Sequence, residues 1–270
     1  MSQSFVQIEK GLGTAGRIAL VRFDRGAAVN ALSPEAMRQL RRAAESFEDD
    51  LETSVVILTG TAKSFCAGFD LKDGEGAQRG AAAGIGARRH QQRIGPRMCR
   101  AWQEMDQVTI AAIEGHCIGG GVAIAVALDF RVCGRSAHFR VPEVELGMNM
   151  SWGTIPRMVQ LCGPARTKQA VILASDRIAA AEAHAWGLVE TVCDDGKALE
   201  QALAFAERIA IQPPIPVRMT KQTVNKIAGA LDDLASHMDY DQFTLTAQTD
   251  DYREGVAAFL EKRKPTFKGR

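Results

Sequence analysis

Three consecutive glycines, Gly119, Gly120 and Gly121, break an apolar stretch that runs from Val108 to Leu128. Before them, VTIAAIEG (108–115) is short, β-branched and apolar, as a buried strand is. After them, VAIAVALD (122–129) is alanine-rich and predicts a buried helix. The glycines thus fall where a strand passes into a helix N-terminus, whose first N–H groups lack intrahelical partners and carry the positive end of the helix dipole. Residues without a Cβ let a ligand atom approach those donors closely. A phosphate or a developing oxyanion is held this way. Tight helix–strand packing uses the same residues, so the glycines alone leave both readings open.

The rest of the chain narrows the fold. At 270 residues and 46% hydrophobic content it can bury a large core, as one domain or a domain with a smaller appendage. A net charge of +1 with no polybasic block gives no push towards nucleic acid or an anionic membrane. The six cysteines (66, 99, 117, 133, 162 and 193) have no metal-ligand spacing and read as small core residues of a reducing compartment. Neither a metal nor a signal segment is expected, no apolar run free of charges is long enough to span a membrane (Glu114 interrupts 108–128), and the cytoplasm is the expected location.

FVQIE (5–9) and RIALVRF (17–23) are β-like runs joined by GLGTAG (11–16). That linker has dinucleotide-loop spacing, but the residues after it alternate and are β-branched, which predicts a hairpin and not a phosphate-binding helix. Ser33 and Pro34 start a helix as N-cap and first residue, with Met37, Leu40, Ala44 and Phe47 on one face. SVVILTG (54–60) is a buried strand, followed by SFCAGFDL (64–71). Segment 73–97, rich in Gly, Ala and Arg, predicts a loop leading into a helix near 88–105, its arginines either a solvated face or contacts for a ligand phosphate. RVCG (131–134) and AHFRV (137–141) are short strands; 156–163, 165–174 and 180–187 are helical, with Gly187 as a C-cap. From Lys197 the pattern is helical, with a break at QPPIP (212–216), and a soft boundary falls near 195–212. The strand–strand–helix order predicts an α/β fold with a parallel sheet and covering helices.

Two glycine-bearing turns, Gly68–Phe69 and Gly119–Gly121, each follow a strand. If those strands are neighbours, two backbone N–H groups can converge on one oxygen and stabilise an enolate or a tetrahedral oxyanion. No GxSxG elbow accompanies them. The best proton carrier is Glu143 in VPEVELG (141–147), where apolar neighbours would raise a carboxyl towards a base working near neutrality. Taken alone, a surface carboxylate is the alternative.

SFCAGFDL, the run from Thr109 to Met148, GLVETV (187–192), NALS (30–33) and RKPTFKG (263–269) together resemble the crotonase, or enoyl-CoA hydratase/isomerase, superfamily across nearly the whole chain. The resemblance implies a spiral of repeated ββα units (1–195) that binds and transforms a CoA thioester, and a C-terminal helical region (196–270) that mediates trimerisation. It implies an acyl-CoA substrate, a homotrimer or hexamer, and no cofactor beyond the coenzyme A of the substrate. By motif position the oxyanion donors are the N–H groups of Phe69 and Gly120, and Glu143 is the catalytic acid/base. Asp70 and Leu71 match the segment that wraps the adenine side of coenzyme A; Arg25 and, more loosely, Lys268 resemble basic positions near its phosphates, with a plain surface role as the alternative. Met148, Ser151 and Trp152 are placed near the acyl pocket by analogy.

One position departs from the pattern. Hydratases of this family carry two glutamates, the first two residues after the glycine triplet, and that position here is Ala123. A methyl group cannot activate water. Dienoyl-CoA isomerisation is disfavoured too, because its aspartate positions are Ala123 and Ser151. The first expectation is therefore an isomerase that moves the double bond of an enoyl-CoA with Glu143 alone. The second is a hydratase, lyase or hydrolase in which Ser151, Trp152 or the 73–97 segment replaces the missing acid. The third is a weakly catalytic binding protein, which the retained Glu143 and both glycine turns argue against.

Overall fold

The computed structural model describes residues 4–26, 29–71, 84–174 and 176–270. Two β-like runs at the start form the expected hairpin, β1 (Val6–Leu12) and β2 (Ile18–Phe23), paired antiparallel around the Gly13–Gly16 turn. Next come α1 (Pro34–Glu45) and the strands β3 (Val55–Thr59) and β4 (Ser64–Cys66). The Ser33 side chain accepts the Ala36 N–H and so caps α1.

Of segment 73–97, residues 73–83 lie outside the described residues. The chain then forms two helices, α2 (Ile85–Gln91) and α3 (Ile94–Gln103), where the sequence predicts one. Pro96 explains the break: it has no N–H to continue a preceding helix, but fits in the first turn of a new one. The strands β5 (Val108–Ile113) and β6 (His116–Ile118), α4 (Gly120–Ala125), β7 (Phe130–Gly134) and β8 (His138–Arg140) lead to a 3-10 turn at Val144–Leu146. After it come α5 (Thr154–Ile172), which is kinked at Gly163, β9 (Ile178–Ala179), α6 (Ala180–Ala185) and β10 (Thr191–Cys193). The chain closes with α7 (Ala198–Ala210), α8 (Pro214–Ala228), α9 (Asp232–Ser236), α10 (Asp239–Thr246) and α11 (Asp250–Glu261).

Successive strands divide between two sheets. The larger has the order β1-β2-β3-β5-β7-β10 and is parallel from β2 onward; the smaller has the order β4-β6-β8-β9. In each repeat one strand (β3, β5, β7) enters the large sheet and the next (β4, β6, β8) enters the small one. This is a spiral of ββα-like turns, an α/β fold with a parallel sheet. Both faces of the large sheet are buried: Val21, Val56, Leu58, Ala111 and Ile113 face one core, while Ile18, Leu20, Val55, Ile57 and Ile110 face another. The second core is closed by Ala198, Ala202, Ala206 and Ala210, an i,i+4 stripe of small residues that lets α7 lie close against the strands.

Two buried ion pairs tie this scaffold together. Lys221 on α8 donates to Asp129 (2.7 Å) and to the Gln107 carbonyl (2.6 Å), while the same Asp129 oxygen accepts from the Thr109 N–H and hydroxyl. The guanidinium of Arg131, 1% exposed, pairs with Glu190 and donates to the carbonyls of Leu128 and Leu188.

Candidate active site

The small sheet positions the site. β4, β6 and β8 are parallel neighbours, with Cys66 opposite Cys117 and Ile118 opposite Arg140. Their carboxyl ends therefore emerge side by side, about 5 Å from strand to strand. The Gly68 turn comes after β4, the glycine triplet after β6, and Glu143 after β8. Three features far apart in sequence thus open onto one rim. Strand β6 is the link that sequence patterning missed: three residues are too few to show a period, so the triplet looked attached directly to β5.

Each turn has a backbone reason. Gly68 (φ +85°) lets the chain reverse after β4, and residues 68–70 then run beside Leu32. The Leu32 N–H donates to the Gly68 carbonyl (2.7 Å) and the Asp70 N–H to the Leu32 carbonyl (3.0 Å), which leaves the Phe69 N–H pointing the other way. Asn30 secures that arrangement: fully buried, it donates from Nδ2 to the carbonyls of Phe23 and Phe65 (2.9 Å each). Gly119 (φ +51°, ψ −113°) extends the ladder by donating to the Arg140 carbonyl at 2.8 Å, then turns Gly120 into the first residue of α4. Neither the Phe69 N–H nor the Gly120 N–H has an acceptor among the described residues. They lie close together, since a Cβ added to Gly68 would fall 3.4 Å from the Gly120 nitrogen.

Glu143 stands on the other side of the triplet. A Cβ on Gly119 would come within 2.7 Å of its Oε1, and its Oε2 is buried with no hydrogen-bond partner among the described residues. Burial pushes this carboxyl from the ordinary 4.5 to about 7, against smaller opposing pulls from its own N–H and Arg140. Arg140 itself is engaged with Glu145 and the Ala174 carbonyl. Ala123, one turn after Gly120 on the same face of α4, is fully buried and contributes a methyl group.

Trp152 stands against α4 and α3. Its ring packs on the absent Cβ of Gly120, 2.7 Å from that position at Cζ3, and on that of Gly95 in α3, 2.1 Å away at Cε2. Ser151 beside it is buried, and its carbonyl accepts the Thr154 N–H and hydroxyl. Met148 is half-buried and its N–H donates to the Glu143 carbonyl (3.0 Å). Arg25 and Asp70 come together as a half-buried ion pair at 2.8 Å, with Arg25 also donating to the Ala31 carbonyl and lying over the Phe5 ring. Leu71 is half-buried next to Asp70. Lys268 lies on the C-terminal tail, its N–H bound to Asp251 (2.7 Å) in α11, the helix that packs on the 3-10 turn after Glu143. Asn30 and Leu32 carry structural roles here that the sequence hinted at only through the NALS segment, and Gly95 one that it did not hint at.

Comparison with known proteins agrees with this layout. The sequence profile of the Enoyl-CoA hydratase/isomerase family matches residues 13–270. The chain belongs to the enoyl-CoA hydratase/isomerase family. The crotonyl-CoA hydratase of Syntrophomonas wolfei is 33% identical over 252 residues, covering 93% of this chain and 94% of that protein. The 2,3-dehydroadipyl-CoA hydratase of Escherichia coli is 33% identical over 254 residues, covering 94% and 96%. Among solved structures, the carnitinyl-CoA hydratase of Mycobacterium avium superposes with a TM-score of 0.84 at 30% identity over the full length of both chains. An enoyl-CoA hydratase from Mycobacterium avium subsp. paratuberculosis reaches 0.85 at 23% identity over 98% of this chain and 99% of that one, a likeness of fold. Membership of this family makes the chain an enzyme acting on acyl-CoA thioesters. No helix among the described residues is long and apolar enough to cross a membrane.

Proposed function

We propose that this family member uses Glu143 as its single acid/base and that its preferred reaction is double-bond isomerisation of an enoyl-CoA. The observation that carries the proposal is the buried Glu143 Oε2 and two backbone N–H groups beside it, none of them with a partner among the described residues, together with a methyl group at position 123. In this reading the thioester oxygen lies between the N–H groups of Phe69 and Gly120. The Glu143 carboxylate takes a proton from C2 of a 3-enoyl-CoA. The electron pair moves into the C1–C2 bond as the carbonyl π pair moves onto the thioester oxygen, giving a dienolate that the two N–H groups stabilise. The new double bond forms between C2 and C3 as C4 takes the proton back from Glu143, and no atom is gained or lost. A pKa of about 7 suits a group that must both take and give a proton near neutrality. Hydration needs a second group to hold the water, and Ala123 offers none.

Arg25, Asp70 and Leu71 on the rim, and Lys268 on the tail, form the proposed CoA-binding set. Met148, Ser151 and Trp152 form the proposed acyl wall. Exposed apolar side chains along α8 and α9, among them Ile215, Val224, Ile227, Leu231 and Leu234, support self-association of the helical region as a trimer or hexamer. A second reading, enoyl-CoA hydration, is favoured by the names of the relatives that match most of the chain. Parallel assays of a 3-enoyl-CoA and of crotonyl-CoA separate the two. Faster conversion of the 3-enoyl ester supports isomerisation, and faster hydration of crotonyl-CoA supports the second reading.

A further inference from the structure

Trp152 is held more firmly than a loop residue needs to be. It and Gly153 both adopt left-handed backbone (φ +63° and +67°), an uncommon conformation for a bulky side chain. Their shared peptide is pinned from both ends: the Trp152 carbonyl accepts from Arg157 (3.0 Å), and the Gly153 N–H donates to Asp239 on α10 (2.8 Å). Arg157 is 8% exposed and is itself fixed by Gln103 of α3. Those bonds fix the backbone that carries the indole, and the ring itself is wedged between Gly120 and Gly95, which makes it a wall.

Its position makes that wall meaningful. One edge of the indole touches Gly120, the residue whose N–H faces the substrate oxygen in the proposed reaction, and another touches Gly95. The ring therefore bridges α4 and α3 and plugs the space between them. It also stands on the face of α4 that Ala123 shares. With the thioester carbonyl at Gly120 and C2 facing Glu143, an acyl chain continuing between α3 and α4 meets the indole.

We infer that Trp152 is a specificity-determining residue that closes the acyl end of the site and restricts it to short acyl groups. The inference rests on the proposed placement of the thioester at Phe69 and Gly120, and its test needs no turnover. Binding of butyryl-CoA and of decanoyl-CoA, both unreactive here, is measured by calorimetry for the wild type, Trp152→Leu and Trp152→Phe, with thermal melts to confirm folding. The wild type is expected to bind butyryl-CoA at least about tenfold more tightly than decanoyl-CoA. Trp152→Leu should bring the ratio to within about threefold of unity by gaining affinity for the long chain, and Trp152→Phe should fall between. If Trp152→Leu does not fold, a Trp152→Phe ratio equal to that of the wild type overturns the inference. Equal wild-type affinity for the two esters, or a ratio that Trp152→Leu leaves unchanged, also overturns it. Failure of the wild type to bind either ester would instead overturn the placement of the CoA thioester.

Discussion

The scaffold and the rim both bury charge, and they treat it in opposite ways. Along the large sheet, Asp129 accepts from Lys221 and twice from Thr109, and Arg131 spreads its guanidinium over Glu190 and four carbonyls. Each of these buried charges has an opposite charge and further hydrogen bonds, which is what keeps a buried ion from being a net liability. At the rim, one oxygen of Glu143 is buried and has no partner, and two backbone N–H groups have no acceptor among the described residues. The first arrangement fixes a fold. The second stores unsatisfied capacity that a substrate and a moving proton can fill.

Removing the Glu143 carboxylate should give the largest effect. Glu143→Gln is expected to lower kcat/KM by about 10³-fold, within the range for loss of a general acid/base. The same change should raise stability at alkaline pH. The folded carboxyl binds its proton more tightly than the unfolded chain does, so wild-type stability falls as pH rises from about 4.5 through about 7 and is level beyond. The cost of ionising Glu143 in place is about 3 kcal/mol from that displacement. Denaturant melts of both proteins at pH 5 and pH 8 should show the variant gaining on the wild type between the two values.

The scaffold should respond in the opposite sense. Asp129→Ala leaves the Lys221 ammonium and the Thr109 N–H unpaired in the interior, and should cost about 3–5 kcal/mol in urea unfolding. The folded fraction should keep its activity. A smaller effect that touches both properties is expected for Gly119→Ala. Its left-handed φ disfavours a side chain, and the added methyl would press on Glu143 Oε1, so about 1–3 kcal/mol of stability should be lost together with activity. The smallest change expected is from Ala123→Glu. A carboxylate there meets the face that Trp152 covers, so hydration of crotonyl-CoA should rise less than about tenfold in the single variant and further in Ala123→Glu/Trp152→Leu, as read by loss of enoyl absorbance.

Much of the rim was legible only when its motifs were taken together, because glycine turns also serve helix–strand packing and a lone glutamate also sits on surfaces. Glycines at 119–121 mark a strand-to-helix passage, Gly68 marks a reversal, and the Pro–Glu pair adds a candidate carboxyl. What stayed hidden were relations that no local pattern encodes. The three-residue strand β6 carries too little periodicity to be seen, yet it sets the neighbourhood of all three features. The left-handed backbone at Trp152 has no propensity signal, because the surrounding network imposes it. The pairing of Arg25 with Asp70 joins positions whose separation only the fold closes.

Infrared difference spectroscopy reads the proton affinity of the buried Glu143 carboxyl directly. Spectra of the wild type are recorded from pH 4 to pH 9 and compared with those of Glu143→Gln. A carboxylic C=O band should disappear with a midpoint near 7 in the wild type and be absent from the variant. A midpoint near 4.5, the value of an ordinary solvated glutamate, would contradict it.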